Sequence, residues 1–126
     1  MDERTEHYMK GLALFGEDKP TEAIEAYKKA LEVSPGWTEA MHGLAMAHMN
    51  AGQLDDAIRV GNEIVAIDSN DAFAHTSLSM FYQRKGMIDE AEKEAAKARM
   101  ISWKEELKKN PNAPPPGPAG SMDVIQ

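Results

Sequence analysis

The chain has 126 residues, of which 42% are hydrophobic and 28% charged, a composition typical of one globular domain with a modest core. Its formal net charge of −7 makes nucleic acid a poor partner, because phosphate binding requires clustered Lys and Arg. Cysteine is absent, which excludes disulfides, thiolate metal sites and Cys nucleophiles.

Six amphipathic helices are predicted along the chain. Apolar residues recur at helical spacing within residues 5–16, 20–33, 38–50, 54–67, 72–85 and 88–101. Breaks containing Gly, Pro, Asn, Asp or Ser separate these segments. The N-terminal residues show no secretory signal, and no apolar run approaches the roughly 18 residues of a membrane span. We therefore expect a cytoplasmic protein that does not insert directly into a membrane.

The six segments form three copies of one unit. Shifting the sequence by 34 residues brings the second helix of each pair into register. The aligned columns hold a small residue, an acid and an apolar residue, namely Ala23, Ala57 and Ala91, then Glu22, Asp56 and Glu90, then Val33, Ile67 and Ile101. A small residue is required where two helices cross closely, and Gly11 is predicted to serve this purpose on the first helix.

The segment Ala-Ile-Glu-Ala-Tyr-Lys-Lys-Ala-Leu-Glu-Val-Ser-Pro at 23–35 resembles the second helix of the tetratricopeptide repeat family, and the resemblance covers about residues 4–105. It implies an all-α fold of three helix-turn-helix hairpins, at about 4–37, 38–71 and 72–105, stacked as a short right-handed α-solenoid. The first helix of each hairpin would line a concave groove. The sequence departs from the family's pattern at Gly61 and Ala95, which replace an aromatic residue, and at His7 and Lys10, which replace large apolar residues.

The last helix is predicted to continue to about residue 109, which gives a repeat domain at 1–109. Residues 110–126 are rich in proline, which cannot continue a helix, so we expect an extended tail. Beyond the prolines lie Met122, Val124 and Ile125, which can fold back on the last helix or anchor in a partner. We favour the anchor, because ordering a tail costs about 1–2 kcal/mol per residue.

No motif in the sequence points to catalysis. The acids Glu22, Asp56 and Glu90 start second helices, where the helix dipole favours them, so their recurrence indicates a structural role. The four histidines lack the spacing of metal ligands, and we expect them to be solvated or at the edge of the groove. The prediction is a protein that is not an enzyme and that requires neither cofactor nor metal.

Function is predicted to lie in the groove, whose expected lining is apolar and rich in Met. The resemblance implies that residues from all three first helices face it: Tyr8, Met9, Leu12, Phe15, His42, Met46, Met49, Asn50, Phe73, Thr76, Met80, Gln83 and Arg84. Met adapts to varied partner shapes, and an open apolar patch marks an interaction site. A second interpretation remains open for any one of these Met residues, namely that it fills the core between hairpins.

The predicted function is protein–protein interaction, as a scaffold, adaptor or accessory subunit that binds a helix or an extended segment of another protein. Chaperone-binding members of the family grip a C-terminal carboxylate with Lys, Asn and Arg. The matching positions here are Tyr8, Leu12, Gly43, Phe73 and Ser77, and none of these residues provides the required charge or amide. We therefore do not expect a carboxylate clamp of the Hsp70/Hsp90 co-chaperone kind. Two alternatives stay open: a dedicated chaperone, like the acidic three-repeat chaperones of bacterial secretion systems, and a repeat protein that self-associates through its terminal helix.

Overall fold

Three helical hairpins follow one another in the computed structural model, which describes residues 1–117. The helices are α1 (Glu3–Gly16), α2 (Pro20–Val33), α3 (Thr38–Asn50), α4 (Leu54–Ile67), α5 (Ala72–Arg84) and α6 (Ile88–Lys109). Each helix packs against the next along the chain, and α3 also contacts α1. The predicted all-helical repeat fold is confirmed, including the extension of the last helix to Lys109. Met122, Val124 and Ile125 lie outside the described residues.

The turn inside each hairpin uses the same backbone conformation. Asp18, Gly52 and Gly86 adopt φ angles of 60°, 80° and 83°. The next residue's N–H then donates to a carbonyl near the end of the helix, in the pairs Lys19 to Leu14, Gln53 to His48 and Met87 to Tyr82, at 2.9, 2.8 and 2.8 Å. These bonds satisfy carbonyls that have no partner within the helix. Glycine adopts the left-handed conformation without steric cost, whereas Asp18 carries a penalty for its Cβ.

Neighbouring hairpins fit together because a large side chain on one faces glycine on the other. At the first junction the ring of Tyr27 in α2 lies between Gly11 of α1 and Gly43 of α3, where added Cβ atoms would stand 2.7 and 2.6 Å from the ring. At the second junction the roles are exchanged, and Gly61 of α4 makes room for Leu78 of α5. The missing aromatic residue at position 61 is thus replaced by a fully buried leucine from across the junction, which preserves close packing.

The two ends of the solenoid explain the other departures from the family's pattern. His7 and Lys10 line an open surface between α1 and α2, where the described chain packs no further helix against them. Ala95 lies at the opposite end, in a cleft lined also by Met80 and Arg99. Within residues 1–117, no helix has the length and apolar character needed to cross a membrane.

Candidate functional site on the face of the first helices

A pocket of about 230 Å³ opens on the face shared by the first helices of the three hairpins. We call it the groove pocket. Helices α1, α3 and α5 form its walls, and α2 contributes one side chain from behind. The lining residues are Tyr8, Leu12, Phe15, Tyr27, Glu39, His42, Gly43, Met46 and Phe73.

An aromatic cluster builds the wall on the α1 side. The ring centroid of Tyr8 lies 4.9 Å from that of Trp37 and 6.0 Å from that of Tyr27, with tilted planes. The guanidinium of Arg4 lies 4.1 Å from the centroid of the Trp37 ring and also donates to Ser34 Oγ at 3.0 Å. A cation over an aromatic face is attracted by the ring quadrupole, so Arg4 fixes Trp37, and Trp37 in turn positions Tyr8.

The opposite wall depends on one carboxylate that links α3 to α5. Asp71 Oδ1 accepts a hydrogen bond from the N–H of Ala74 at 3.0 Å, which caps the N-terminus of α5. Its other oxygen, Oδ2, accepts from His42 Nε2 at 2.8 Å. The His42 ring stacks on Phe73 with centroids 4.7 Å apart and planes 9° from parallel. Phe73 is therefore held beside the pocket although its side chain is 59% exposed.

Tyr27 reaches the pocket from behind, through the slot between Gly11 and Gly43. Its ring is 1% exposed, and any side chain on either glycine would occupy the same space. Burial, with a smaller contribution from the nearby Tyr8, raises the pKa of Tyr27 to about 12. The inner end of the pocket therefore remains uncharged at neutral pH.

The groove pocket is apolar and has an acid at its edge. Among the described residues that line it, none is Lys or Arg, and Glu39 supplies the carboxylate. Glu39 Oε1 accepts a hydrogen bond from Trp37 Nε1 at 2.8 Å. Leu12 is 42% exposed and lies on the rim with Phe73, so the apolar surface is open to solvent. Binding of large apolar side chains to such a surface is favourable by about 25 cal/mol for each Å² of apolar surface removed from water.

The structure brings together six of the residues predicted to line the groove: Tyr8, Leu12, Phe15, His42, Met46 and Phe73. Three others line the separate cleft at the α5–α6 end: Thr76, Met80 and Gln83. Met9, Asn50 and Arg84 are exposed outside both. Met49 requires a correction, because it is 7% exposed and belongs to the buried core cluster, where a partner cannot reach it.

Tyr27, Glu39 and Gly43 also line the pocket but are not among the residues predicted to line the groove. Tyr27 lies on a second helix, whereas the resemblance implied that the first helices line the groove. The signal that identifies it is the pair Gly11 and Gly43, two glycines inside first helices that leave room for one large ring.

Two histidines also differ from the prediction. His48 and His75 are 3% and 5% exposed, so they are buried rather than solvated. His48 occupies the repeat position of Leu14 and Tyr82, which is a packing position, and its Nδ1 lies 2.7 Å from Gln53 Oε1. His75 is held by Glu94 Oε1 at 2.7 Å from Nδ1 and by the carbonyl of Ser69 at 2.9 Å from Nε2. Both ring nitrogens of His75 are paired, whereas His48 is paired through Nδ1 and its buried Nε2 has no partner among the described residues.

Solved structures with a similar fold are helical repeat proteins. A crystal structure of MamA is 27% identical with a TM-score of 0.78, over 82% of this chain and 60% of that chain. YrrB, described as a TPR protein with an unusual peptide-binding site, is 24% identical with a TM-score of 0.73, over 89% of this chain and 54% of that chain. The second TPR of Spaghetti (RPAP3), bound to an HSP90 peptide, is 17% identical with a TM-score of 0.72, over 78% and 91%. At 24% and 17% identity, YrrB and the RPAP3 domain show that the fold is shared and nothing beyond it.

This chain spans about 60% of the length of the MamA chain that it matches. A search of curated proteins found no match to the sequence. A family model described as Tetratricopeptide repeat matches residues 14–79, which is just over half of the chain. Together with the three stacked hairpins, this match shows that the chain belongs to the tetratricopeptide repeat family.

Proposed function

We propose that this chain is a non-catalytic scaffold or adaptor that binds a segment of a partner protein in the groove pocket. The observation that carries the proposal is the pocket itself, an apolar site walled by aromatic rings and left open to solvent. Helical repeat proteins use their extended concave surfaces for binding. An exposed apolar patch of this kind marks a site that a partner covers.

Two similar structures support a polypeptide as the partner. One is described as having a peptide-binding site, and the other holds a peptide of sequence SRMEEVD. That peptide is acidic, whereas the pocket here carries Glu39 at its edge and no Lys or Arg in its described lining. The expected partner therefore binds through large apolar side chains and not through a carboxylate.

The pocket is shaped before the partner arrives. Asp71 fixes His42 and the start of α5, while Arg4 and Trp37 fix Tyr8. Walls that are already ordered lose little conformational entropy on binding, which favours affinity. Each apolar anchor that enters such a pocket contributes about 2 kcal/mol, or roughly a 30-fold change in the dissociation constant.

Selection from a random peptide library displayed on phage, with the full chain immobilised, tests the proposal. Selected peptides should contain large apolar side chains, and Met46→Glu should weaken their binding at least 30-fold, because it places a charge in the pocket. Met9→Glu is the matched control, since Met9 is 49% exposed and does not line the pocket.

Circular dichroism should show equal helicity for both variants and the wild type. Equal affinity of Met46→Glu and Met9→Glu for the selected peptides would contradict the proposal and move the binding site elsewhere on the surface. A library that yields no peptide dependent on Met46 would contradict it as well.

A further inference from the structure

A second pocket, of about 550 Å³, lies between the second helices α4 and α6. We call it the back pocket. Val65 of α4 lines one wall, Met100 and Ile101 of α6 line the other, and His75 of α5, which is 5% exposed, lies at the base. The back pocket and the groove pocket have no lining residue in common, so they are separate sites.

The α6 wall of the back pocket repeats at helical spacing. Lys97, Met100, Ile101 and Lys104 stand at positions i, i+3, i+4 and i+7, which share one face of an α-helix. Met100 is 41% exposed and Ile101 is half-buried. The two lysines are seven residues apart, roughly 10 Å along the helix axis. This face therefore presents an apolar pair with a cation on either side of it.

The back pocket is basic in a chain whose net charge is −7. None of the described residues that line it is Asp or Glu, and residues 95–104 contain three basic residues and no acid. Glu94, at the edge of this stretch, has both oxygens engaged, Oε2 by Lys97 at 3.1 Å and Oε1 by His75 at 2.7 Å. The salt bridges of α6 within residues 1–117 do not include Lys104. A ligand for this pocket should therefore carry negative charge beside apolar groups.

The described chain beyond α6 does not cover this face. It turns back, with the N–H of Ala113 donating to the carbonyl of Asn110 at 3.0 Å and Trp103 Nε1 donating to the carbonyl of Ala113 at 3.1 Å. Ala113 is buried by this turn, whereas Met100 stays exposed. Among residues 1–117, the back pocket is thus open to a partner.

We propose that the back pocket binds an amphipathic helix of a partner protein, whose apolar side chains are flanked by acids. Charge complementarity is the argument for this occupant. Acids two helical turns apart on the partner would meet Lys97 and Lys104, and the apolar residues between them would cover Met100. A groove between two helices accepts a third helix, whose anchors recur at the same i, i+3, i+4 and i+7 spacing.

The two pockets then select different segments. The groove pocket carries Glu39 at its edge and no Lys or Arg in its described lining, whereas the back pocket carries two lysines and no acid. A scaffold with both sites can hold two partners at once. The proposal for the back pocket does not depend on the function of the groove pocket.

Selection from a displayed peptide library on the full chain carrying Met46→Glu tests the proposal, because that change places a charge in the groove pocket and leaves the back pocket intact. Selected peptides should combine Asp or Glu with large apolar side chains. Lys104→Glu should weaken their binding about tenfold, because repulsion replaces attraction, and higher salt should weaken it too. Lys108→Glu is the matched control, since Lys108 is an exposed lysine of α6 outside the pocket.

Two further measurements establish the site. Exchanging the acids of a selected peptide for Lys should restore its binding to Lys104→Glu, which should be as helical as the wild type by circular dichroism. The methyl NMR signal of Met100 should shift when the peptide is added to the full chain.

Several results would overturn the proposal. Equal binding to Lys104→Glu and Lys108→Glu would do so, as would a library that yields no acidic peptide. A Met100 signal that moves with protein concentration in the absence of peptide would mean that a second copy covers the pocket. One that moves when the residues beyond Gly117 are deleted would mean that the chain itself covers it.

Discussion

Gly43→Ala tests whether the slot around Tyr27 determines how the first two hairpins fit. An added Cβ would stand 2.6 Å from Tyr27 Cζ, 2.7 Å from Cε1 and 3.0 Å from the hydroxyl oxygen. The ring cannot retreat, because Gly11 confines its other face with a corresponding distance of 2.7 Å. Alanine gains about 1 kcal/mol over glycine in helix propensity, whereas overpacking typically costs about 1–3 kcal/mol. We expect a net loss of up to about 2 kcal/mol, which lowers the melting temperature by up to several degrees.

Thermal and urea melts of Gly43→Ala and Gly16→Ala provide the comparison. Gly16 also lies in a first helix, but an added Cβ there meets nothing within 4 Å, so Gly16→Ala should be neutral or stabilising. Tyr27→Leu should cost less in the Gly43→Ala background than in the wild type, because the two changes share one space. If Gly43→Ala is as stable as Gly16→Ala, the slot around Tyr27 does not determine how the first two hairpins fit.

Three further stability predictions follow from single residues. Burial raises the pKa of Tyr27 from 10.0 to about 12, so the unfolded chain loses the phenol proton first. Stability should then fall by roughly 2–3 kcal/mol as the pH rises between these values, a fall that urea melts should show in the wild type and not in Tyr27→Phe. Asp18→Gly should raise the melting temperature, with a gain of up to about 1 kcal/mol, while Gly52→Asp should lower it, and equal melts would contradict the shared turn geometry. Ala57→Leu, at a residue that is 0% exposed, should cost about 1–3 kcal/mol, and an unchanged melt would refute the helix register.

The fold was predictable because independent features of the sequence indicated the same architecture. A 34-residue period, apolar spacing along six helices and Gly in two of the hairpin turns all indicated the same stacked architecture. His7 and Lys10 depart from the family's pattern because they line an open surface at one end of the solenoid, which the sequence alone did not show. Gly61 was harder to interpret, because the reason for a glycine there is the side chain of Leu78, which packs against it from the next hairpin.

The site was predictable only in part. The resemblance to the family implied that Tyr8, Leu12 and Met46 face the groove, and all three line the groove pocket. The resemblance could not separate Met49 from Met46, because both are apolar residues of α3 and only packing against neighbouring helices decides which one is covered. The link from Asp71 to His42 joins residues 29 positions apart, so it depends on the stacking of hairpins and not on local pattern.

Methionine methyl NMR can show directly whether a peptide binds in the groove pocket, because the nine Met residues are distributed over the molecule. The full chain, labelled with ¹³C at the Met methyl groups, is titrated with the tightest peptide from the library selection. If the peptide binds in the groove pocket, the Met46 signal should shift in proportion to the bound fraction, while the signals of exposed Met9 and of Met87 in the third hairpin should stay in place. Shifts at Met87 or Met100 with an unchanged Met46 signal would show that the peptide binds outside the groove pocket, and would contradict the proposed function.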